Sequence, residues 1–374
     1  MVSMLGNSSR PLRVLIIGQT PPPFGGQARM IQALLDHPMP GIERRHVRLA
    51  YSREMTDIGK VTFGKVLHLF GTVVRVLWAI TTFRPDVVYY PPGGPNRAPV
   101  IRDVLTLLAI RPFCRRLVFH FHAGGLADVW RRGFRSRIAA ALFRRAFFGA
   151  DAAIVLAESN RPDGEVLEAR LVFVVPNGIP DEAGRFAREP REVPGVLFVG
   201  VHLESKGVVV LAEACTHLWD EGLDFTLTMV GDRPEGVEER IRAAVGRHAD
   251  RLRLCGVLLG DDKWREFAMA DVFCFPTFFE AETMGVVALE GMMFGLPIVA
   301  TRWRGLPEVV EDGVTGYLVE PRDAQALADR LRTLLLDLKR RAEMGKAARQ
   351  RFEQRYGIDG HVERMREVFA DVVF

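Results

Sequence analysis

Short apolar runs alternate with longer segments of helical period along this chain. Arg13-Val-Leu-Ile-Ile-Gly18 reads as a first buried strand, and Asp86–Tyr90, Leu117–His122, Ala152–Leu156 and Val172–Val175 continue the series. Runs that are apolar at both parities suit a parallel sheet covered on both faces. From Pro176 to Pro194 the chain turns rich in Gly, Pro and charge and loses any period, which marks an interdomain linker. The strand series then restarts with Gly195–Val199, Phe225–Val230, Leu252–Cys255, Val272–Phe275, Pro297–Ala300 and Tyr317–Val319. Ala324–Arg340 and a last segment from about Gly360 read as helices. The pattern predicts an α/β protein of two doubly wound, Rossmann-like domains across a cleft, at 1–180 and 195–355 with a linker at 181–194. The C-terminal stretch 356–374 is expected to pack back on the first domain.

Composition narrows the function classes. A length of 374 residues suits two or three domains, and a hydrophobic fraction of 48% fills their cores. The net charge of +4 does not mark a nucleic-acid binder. That charge is unevenly spread, since residues 101–150 hold ten arginines against two aspartates. Cys114, Cys215, Cys255 and Cys274 lack metal or redox spacing and read as reduced thiols. No secretory signal pattern and no run of ~20 apolar residues is visible, and Val66–Phe83 carries His68 and Arg75. A cytoplasmic enzyme is expected, with contact to the inner face of a membrane as a further expectation.

Candidate chemistry gathers at loops that follow strands. Gly18–Arg29 is stiffened by prolines, and its Gly25-Gly26 pair lets backbone approach a ligand just before a helix. It is not GxGxxG, which counts against a nicotinamide cofactor, and it also fits a plain Gly-Pro turn. His120 and His122 share a strand face; His122, nearer the loop, is the better candidate for contact with a reacting group. Lys206-Gly207 before a helix would set an ammonium over a phosphate, or is a surface lysine. Glu282 and Glu290 flank Gly285, at which a helix is expected to begin. Glu282 then lies in a strand-to-helix loop and Glu290 about one and a half turns into the helix. Free N–H groups between them make an anion site. A carboxylate on either side of a diphosphate pocket suits a ligand with hydroxyls at both ends.

Together these segments resemble the retaining GT-B glycosyltransferases of family GT4. The likeness rests on Gly25-Gly26, His122, Val175-Pro-Asn-Gly-Ile179, Phe198-Val-Gly…Lys206-Gly207, the Glu282/Glu290 pair with Gly285, and Gly305–Gly316. The resemblance implies a nucleotide-diphosphate sugar, UDP- or GDP-linked, as donor, no other cofactor and no metal. It implies that Glu290 takes the ribose hydroxyls and Glu282 those of the transferred sugar. Lys206 and the N–H groups of Gly285 and Val286 would neutralise the diphosphate, with Gly25 and Gly26 closing over it. His122 would meet the sugar near its reacting carbon, and Val257 would lie along the base. A glycan or lipid-linked acceptor, as in surface polysaccharide or lipopolysaccharide synthesis, would sit mainly on the N-terminal half. Many relatives carry Arg where Val201 stands, so that cation is missing or replaced, with Arg302 or Arg304 as candidates. A GT-B sugar-nucleotide 2-epimerase and a catalytically weak partner subunit stay open as alternatives. Residues 111–148 mix arginines with aromatics, and Trp130–Phe148 reads as a basic amphipathic helix or helix pair. It would dock on an anionic membrane, or it is a core-facing helix with a solvated arginine side.

Overall fold

The computed structural model describes residues 10–22, 25–49, 63–188 and 191–374, with the helical backbone alone at 63–68. Pro23 and Phe24 of the proline loop, the His68 side chain and two linker residues lie outside that description. The chain divides into two compact units. The described residues up to Gly178, with Ile358–Phe374, form the first, and Ile179–Gly357 form the second.

In the first unit, β1 (Leu12–Gly18), α1 (Gly26–Asp36), β2 (Ile42–Arg48), α2 (Phe63–Phe83), β3 (Val87–Tyr90) and α3 (Arg97–Ile110) come first. Then follow β4 (Leu117–Phe121), α4 (Leu126–Arg131), α5 (Arg137–Phe147), β5 (Ala152–Val155), α6 (Arg161–Glu165) and β6 (Leu171–Val174). The second unit runs β7 (Gly195–Val199), α7 (Val208–Asp220), β8 (Thr226–Val230), α8 (Val237–Val245), β9 (Leu252–Gly256), α9 (Gly260–Met269) and β10 (Val272–Phe275). It continues through α10 (Val286–Met293), β11 (Ile298–Thr301), α11 (Leu306–Val309), β12 (Gly316–Val319), α12 (Ala324–Leu336) and α13 (Leu338–Arg355); α14 (Ile358–Val373) belongs to the first unit.

Each unit has one six-stranded parallel sheet, in the orders β2-β1-β3-β4-β5-β6 and β12-β11-β10-β7-β8-β9. Strand order reverses between β1 and β3 in one unit and between β7 and β10 in the other. Such switch points open a crevice at the carboxyl ends of the strands. Alternation along the strands of the first unit feeds two cores. Leu15, Ile17, Val88, Tyr90, Phe119 and Phe121 pack under α2, α3 and α5. Val14, Ile16, Val87, Tyr89 and Val118 pack against α1 and α14.

The sequence pattern missed β2, because this half-buried edge strand reads Ile-Glu-Arg-Arg-His-Val-Arg and shows no apolar run. The expected helix Ala324–Arg340 is two helices, broken at Asp337, whose carboxylate accepts from Arg340 N and caps the second. Of the two readings of Trp130–Phe148, the helix pair is found, as the end of α4 and the whole of α5, with Ser136 capping α5. The stretch read as a linker is tied into the second unit from its start. Ile179 N donates to Tyr356 O at 2.9 Å, Glu182 N to Met293 Sδ at 3.2 Å, and Arg349 Nη1 to Asp181 Oδ1 at 3.0 Å.

Gly207, between a 3₁₀ turn at Glu204–Lys206 and α7, has φ +77°, and a Cβ there would stand 2.1 Å from Pro276 O. Left-handed backbone costs an L-residue about 1–2 kcal/mol, and the clash adds to it. Gly207→Ala is therefore expected to lower the stability of the second unit by more than about 2 kcal/mol. Denaturant melts check this, and an unchanged midpoint would contradict the close β7-loop to β10-loop approach.

Candidate functional site

The second switch point is built from two loops that hold each other. Beyond β10, Phe278 N donates to Ser205 O at 2.7 Å, and Trp303 Nε1 donates to Phe279 O at 2.8 Å. Gly305 N donates to Thr283 O at 2.7 Å, and Thr301 Oγ1 donates to Thr277 O. The loop carrying Glu282 is thus fixed from the β7 side and from the β11 side. Lys206 Nζ lies 2.5 Å from Glu282 Oε2, and it sits 5.3 Å and 4.5 Å from the ring centres of Phe275 and Phe279. A cation over two aromatic faces is held electrostatically at both.

Gly285 starts α10 at φ +71°. A Cβ there would come within 2.9 Å of Leu306 Cδ2 and 3.2 Å of Phe275 Cε1, so only glycine fits. No side chain caps α10, and the N–H groups from Gly285 and Val286 onward lie at its positive end. Glu290 is the fifth residue of α10 and has 0% exposure. Its Oε1 accepts from Lys263 Nζ of α9 at 2.8 Å, and the same ammonium lies 3.9 Å from the Trp264 ring centre. Glu282 and Lys206 thus meet directly, while Glu290 stands with a lysine that the sequence reading did not single out. Nothing in the spacing of Lys263 and Glu290, on different elements, marks them as partners.

Val257 follows β9 and is 60% exposed. Arg302, one of the two candidates for the arginine sought near Val201, is paired with Asp312 and Glu320. Arg304 lies 5.8 Å from the ring centre of its neighbour Trp303. Arg233, just beyond β8, is a cation beside the β7 loop that the sequence reading missed. The two strand ends touch, since a Cβ on Gly231 would strike Gly200 O at 1.8 Å and His202 N donates to Asp232 O at 2.7 Å. Burial first, and then the Arg233 charge, lowers His202 to about 4. Arg233 is itself paired with Glu238 at 2.9 Å.

In the first unit, Gly25 and Gly26 stand at the start of α1, and Gln27 Nε2 donates to Pro91 O beyond β3 at 3.0 Å, across that unit's switch point. His122 is half-buried just past β4. Tyr89 Oη lies 2.7 Å from His120 Nδ1 and 3.3 Å from His122 Nε2, so a single hydroxyl can donate to one ring and accept from the other. The two imidazoles are 3.9 Å apart between centroids. His361 of α14 stacks 6.5 Å from His120, and its Nδ1 is 2.8 Å from Pro176 O. Burial holds all three rings neutral. It pushes His122 down to about 3, with the His361 charge second, and His361 to about 4; His120 falls well below the usual value. Neutral His122 is then a hydrogen-bonding group at neutral pH, not a cation. Among the described residues, no cluster of three or more His, Cys, Asp or Glu side chains is placed to hold a metal ion.

Two parallel doubly wound units of this kind are the GT-B fold of glycosyltransferases. The likeness to solved structures runs over nearly the whole chain. HepE of Anabaena, solved with UDP and glucose, matches with TM-score 0.71 at 19% identity, over 96% of this chain and 99% of that one. Sucrose-phosphate synthase of Thermosynechococcus elongatus matches with TM-score 0.72 at 19% identity, again over 96% and 99%. The sequence model of the family Glycosyl transferases group 1 matches residues 193–337, within the second unit. Among curated relatives, the sulfoquinovosyl transferase SQD2 of Arabidopsis thaliana is 35% identical over 157 residues, 41% of this chain and 30% of that protein. A phosphatidyl-myo-inositol mannosyltransferase of Mycobacterium leprae is 36% identical over 168 residues, 43% of each. The chain thus spans less than half the length of the curated relatives it matches.

The neutral histidines set a pH dependence. In the unfolded chain each takes a proton near ~6.5, whereas the folded rings resist protonation down to about 3–4. The unfolded state therefore binds more protons in that window. Stability is complete above pH ~6.5 and falls as the pH drops toward ~4, by up to about 1.4 kcal/mol per pH unit for each histidine. Urea unfolding across this range should show the slope, and His361→Gln should lower it by about one proton. A flat profile between pH ~7 and ~5 would contradict the neutral cluster.

Proposed function

We propose that this protein is a retaining glycosyltransferase that moves a sugar from a nucleotide-diphosphate donor to a glycan or lipid-linked acceptor. The observation that carries the reading is the arrangement of Lys206 and Glu282 at the β7/β10 switch point, beside the uncapped start of α10. Breaking a sugar–phosphate bond places negative charge on the leaving diphosphate. An ammonium and preorganised N–H groups stabilise that charge as it develops, and they need no reorganisation when it appears. In this reading Lys206 and the N–H groups of Gly285 and Val286 take the diphosphate, while Glu282 takes hydroxyls of the transferred sugar. Glu290 takes the ribose hydroxyls, and Val257 lines the base.

The buried lysine changes how the ribose assignment is tested. Glu290→Ala would leave the Lys263 ammonium buried without its carboxylate, a loss of about 3–5 kcal/mol in folding that would mask any effect on binding. Glu290→Gln keeps an acceptor for Lys263 and removes the charge.

The neutral His122, sharing the Tyr89 hydroxyl with His120, supports its place as the hydrogen-bonding contact of the donor sugar. Several relatives named for polysaccharide synthesis, such as the putative colanic acid biosynthesis glycosyltransferase WcaL of Escherichia coli (32% identical over 180 residues), support an acceptor of that class. The absence, among described helices, of any long and apolar enough to cross a membrane is compatible with action on a lipid-linked acceptor from the membrane surface.

A thermal-shift screen across UDP- and GDP-sugars tests the donor, because a bound ligand raises stability by mass action. One donor class should raise the melting temperature. Glu290→Gln, which keeps a hydrogen-bond acceptor for Lys263 and so costs less stability than Glu290→Ala, should weaken its binding about tenfold or more, measured by calorimetry below the variant's own melting temperature. His122→Ala should lower kcat about 10²-fold with little change in donor affinity. No shift with any nucleotide sugar would remove the donor reading. Epimer formation without an acceptor would replace it with the 2-epimerase reaction.

A further inference from the structure

Apart from Phe113, which is exposed, the aromatic residues of 111–148 do not face outward. Phe143, Phe147 and Phe148 are buried, and Trp130 and Phe134 stack on Phe143 at 5.9 Å and 5.1 Å between centroids. The exposed apolar surface of the first unit lies elsewhere, on three neighbouring helices. α3 packs between α2 and α5 on one face of the sheet. The inner stripes of these helices, such as Val76, Ile80, Leu107 and Phe143, fill the core beneath.

Their outer stripes are apolar as well. On α2, Phe70 (71% exposed), Val74 and Trp78 (65%) recur every four residues. On α3, Ile101 and Leu105 do the same, and on α5 Ile138 (73%) and Leu142. Residues four apart form one row on a helix, so three apolar rows lie side by side in solvent. A helix that covers an α/β sheet in water normally turns charge outward, as α13 does here with Lys339, Arg340 and Glu343. Contiguous exposed apolar surface of this kind marks an interaction site.

The charge on these helices has one sign. α2 and α5 contain no Asp or Glu. The only carboxylate of α3, Asp103, is buried, accepting from Tyr90 Oη at 2.8 Å and Gly93 N at 2.6 Å. Among the described basic side chains, Arg102 turns onto Asp103 and Arg144 pairs with Glu168, and the others face outward. Arg97 stands one turn before Ile101, Arg75 beside Val74, and Arg137 and Arg145 flank the α5 row. Arg97, Arg137 and Arg145 have no carboxylate partner among the described residues. Apolar rows edged by unpaired guanidinium groups, with no exposed acid between them, match an anionic lipid surface. The apolar side chains enter the acyl boundary and the arginines meet the headgroups.

We propose that the outer face of α2, α3 and α5 docks this protein on an anionic bilayer, with the helices lying in the interface. No described helix is long and apolar enough to cross a membrane, so the face lies on the bilayer and does not span it. The proposal deepens the lipid-linked acceptor reading, and the test keeps the two apart.

The full chain is sedimented with vesicles of phosphatidylcholine alone and of phosphatidylcholine mixed with phosphatidylglycerol. Both are run at ~0.05 M and ~0.5 M salt. Binding is expected on the anionic vesicles and reduced at high salt. Phe70→Glu with Trp78→Glu should reduce it at least about tenfold, since each places a charge among apolar rows. Arg137→Glu with Arg145→Glu should reduce binding to anionic vesicles. These positions are exposed, so folding should survive, and circular dichroism checks that. Leu336→Glu with Leu338→Glu, also exposed but in the second unit, should change nothing. Equal partitioning onto both vesicle types, equal loss in the control variant, or a self-associating dimer that Trp78→Glu abolishes would overturn the proposal. Donor hydrolysis without vesicles is measured in parallel. If it persists while vesicle binding fails, docking is wrong and the transferase reading stands.

Discussion

A carboxylate cannot be taken out of water alone, and the C-terminal unit is arranged around that constraint at Glu290. With 0% exposure in α10, this side chain would be prohibitively costly as a lone anion, and the ammonium of Lys263 from α9 answers it. The pair ties α9 to α10. α10 in turn follows Gly285, whose left-handed backbone is pressed against Phe275 at the end of β10 and Leu306 at the start of α11. A buried ion pair is weak evidence for stability, because apolar residues would serve as well or better. Its presence at the end of the central strands, next to an uncapped helix start, supports the binding role proposed for Glu290.

The second ion pair works under different conditions. Lys206 and Glu282 are mostly but not fully shielded, and the rings of Phe275 and Phe279 hold the ammonium in place. Both partners belong to loops, yet those loops are fixed by backbone hydrogen bonds to each other and by Trp303. A site on rigid loops keeps its geometry without spending binding energy on ordering. That is the physical content of placing chemistry at the end of a parallel sheet: the sheet sets the backbone, and short loops carry the charges.

Most of the fold was legible because buried parallel strands leave an unmistakable mark. Most strands among the described residues are apolar runs, and the one that was missed, β2, is a half-buried edge strand in which charged residues dominate. Helix limits were less legible. The break at Asp337 depends on a single capping carboxylate, which looks like any polar residue within a helical period. In the site, Glu282, Gly285 and Glu290 stood out because their spacing sits across a strand-to-helix transition. Lys263 and Arg233 did not, since each reaches its place through folding from another element. The aromatics near Trp130 misled for a related reason: periodicity shows that a stripe is apolar but not whether another layer covers it. In α5 the aromatic stripe is core, while the aliphatic one beside it is bare.

The histidines of the first unit show the same limit from the other side. His120 and His122 share a strand face, which sequence gives directly, but the hydroxyl serving both belongs to Tyr89 on β3, and the third ring to α14. Three neutral imidazoles, two buried and one half-buried, form one cluster, and loss of hydration holds each down before any neighbour acts. Their neutrality is collective, since a proton on one would raise the cost of a proton on the next. His361 adds a structural consequence. It brings the last helix, the strand-end histidines and the Pro176 carbonyl of the Val-Pro-Asn-Gly turn into one hydrogen-bonded and stacked group. That turn is where the chain leaves the first unit, and α14 is where it returns. His122, proposed here to meet a sugar, thus rests through His120 on His361 and the Pro176 carbonyl, contacts made where the chain leaves the first unit and where it returns.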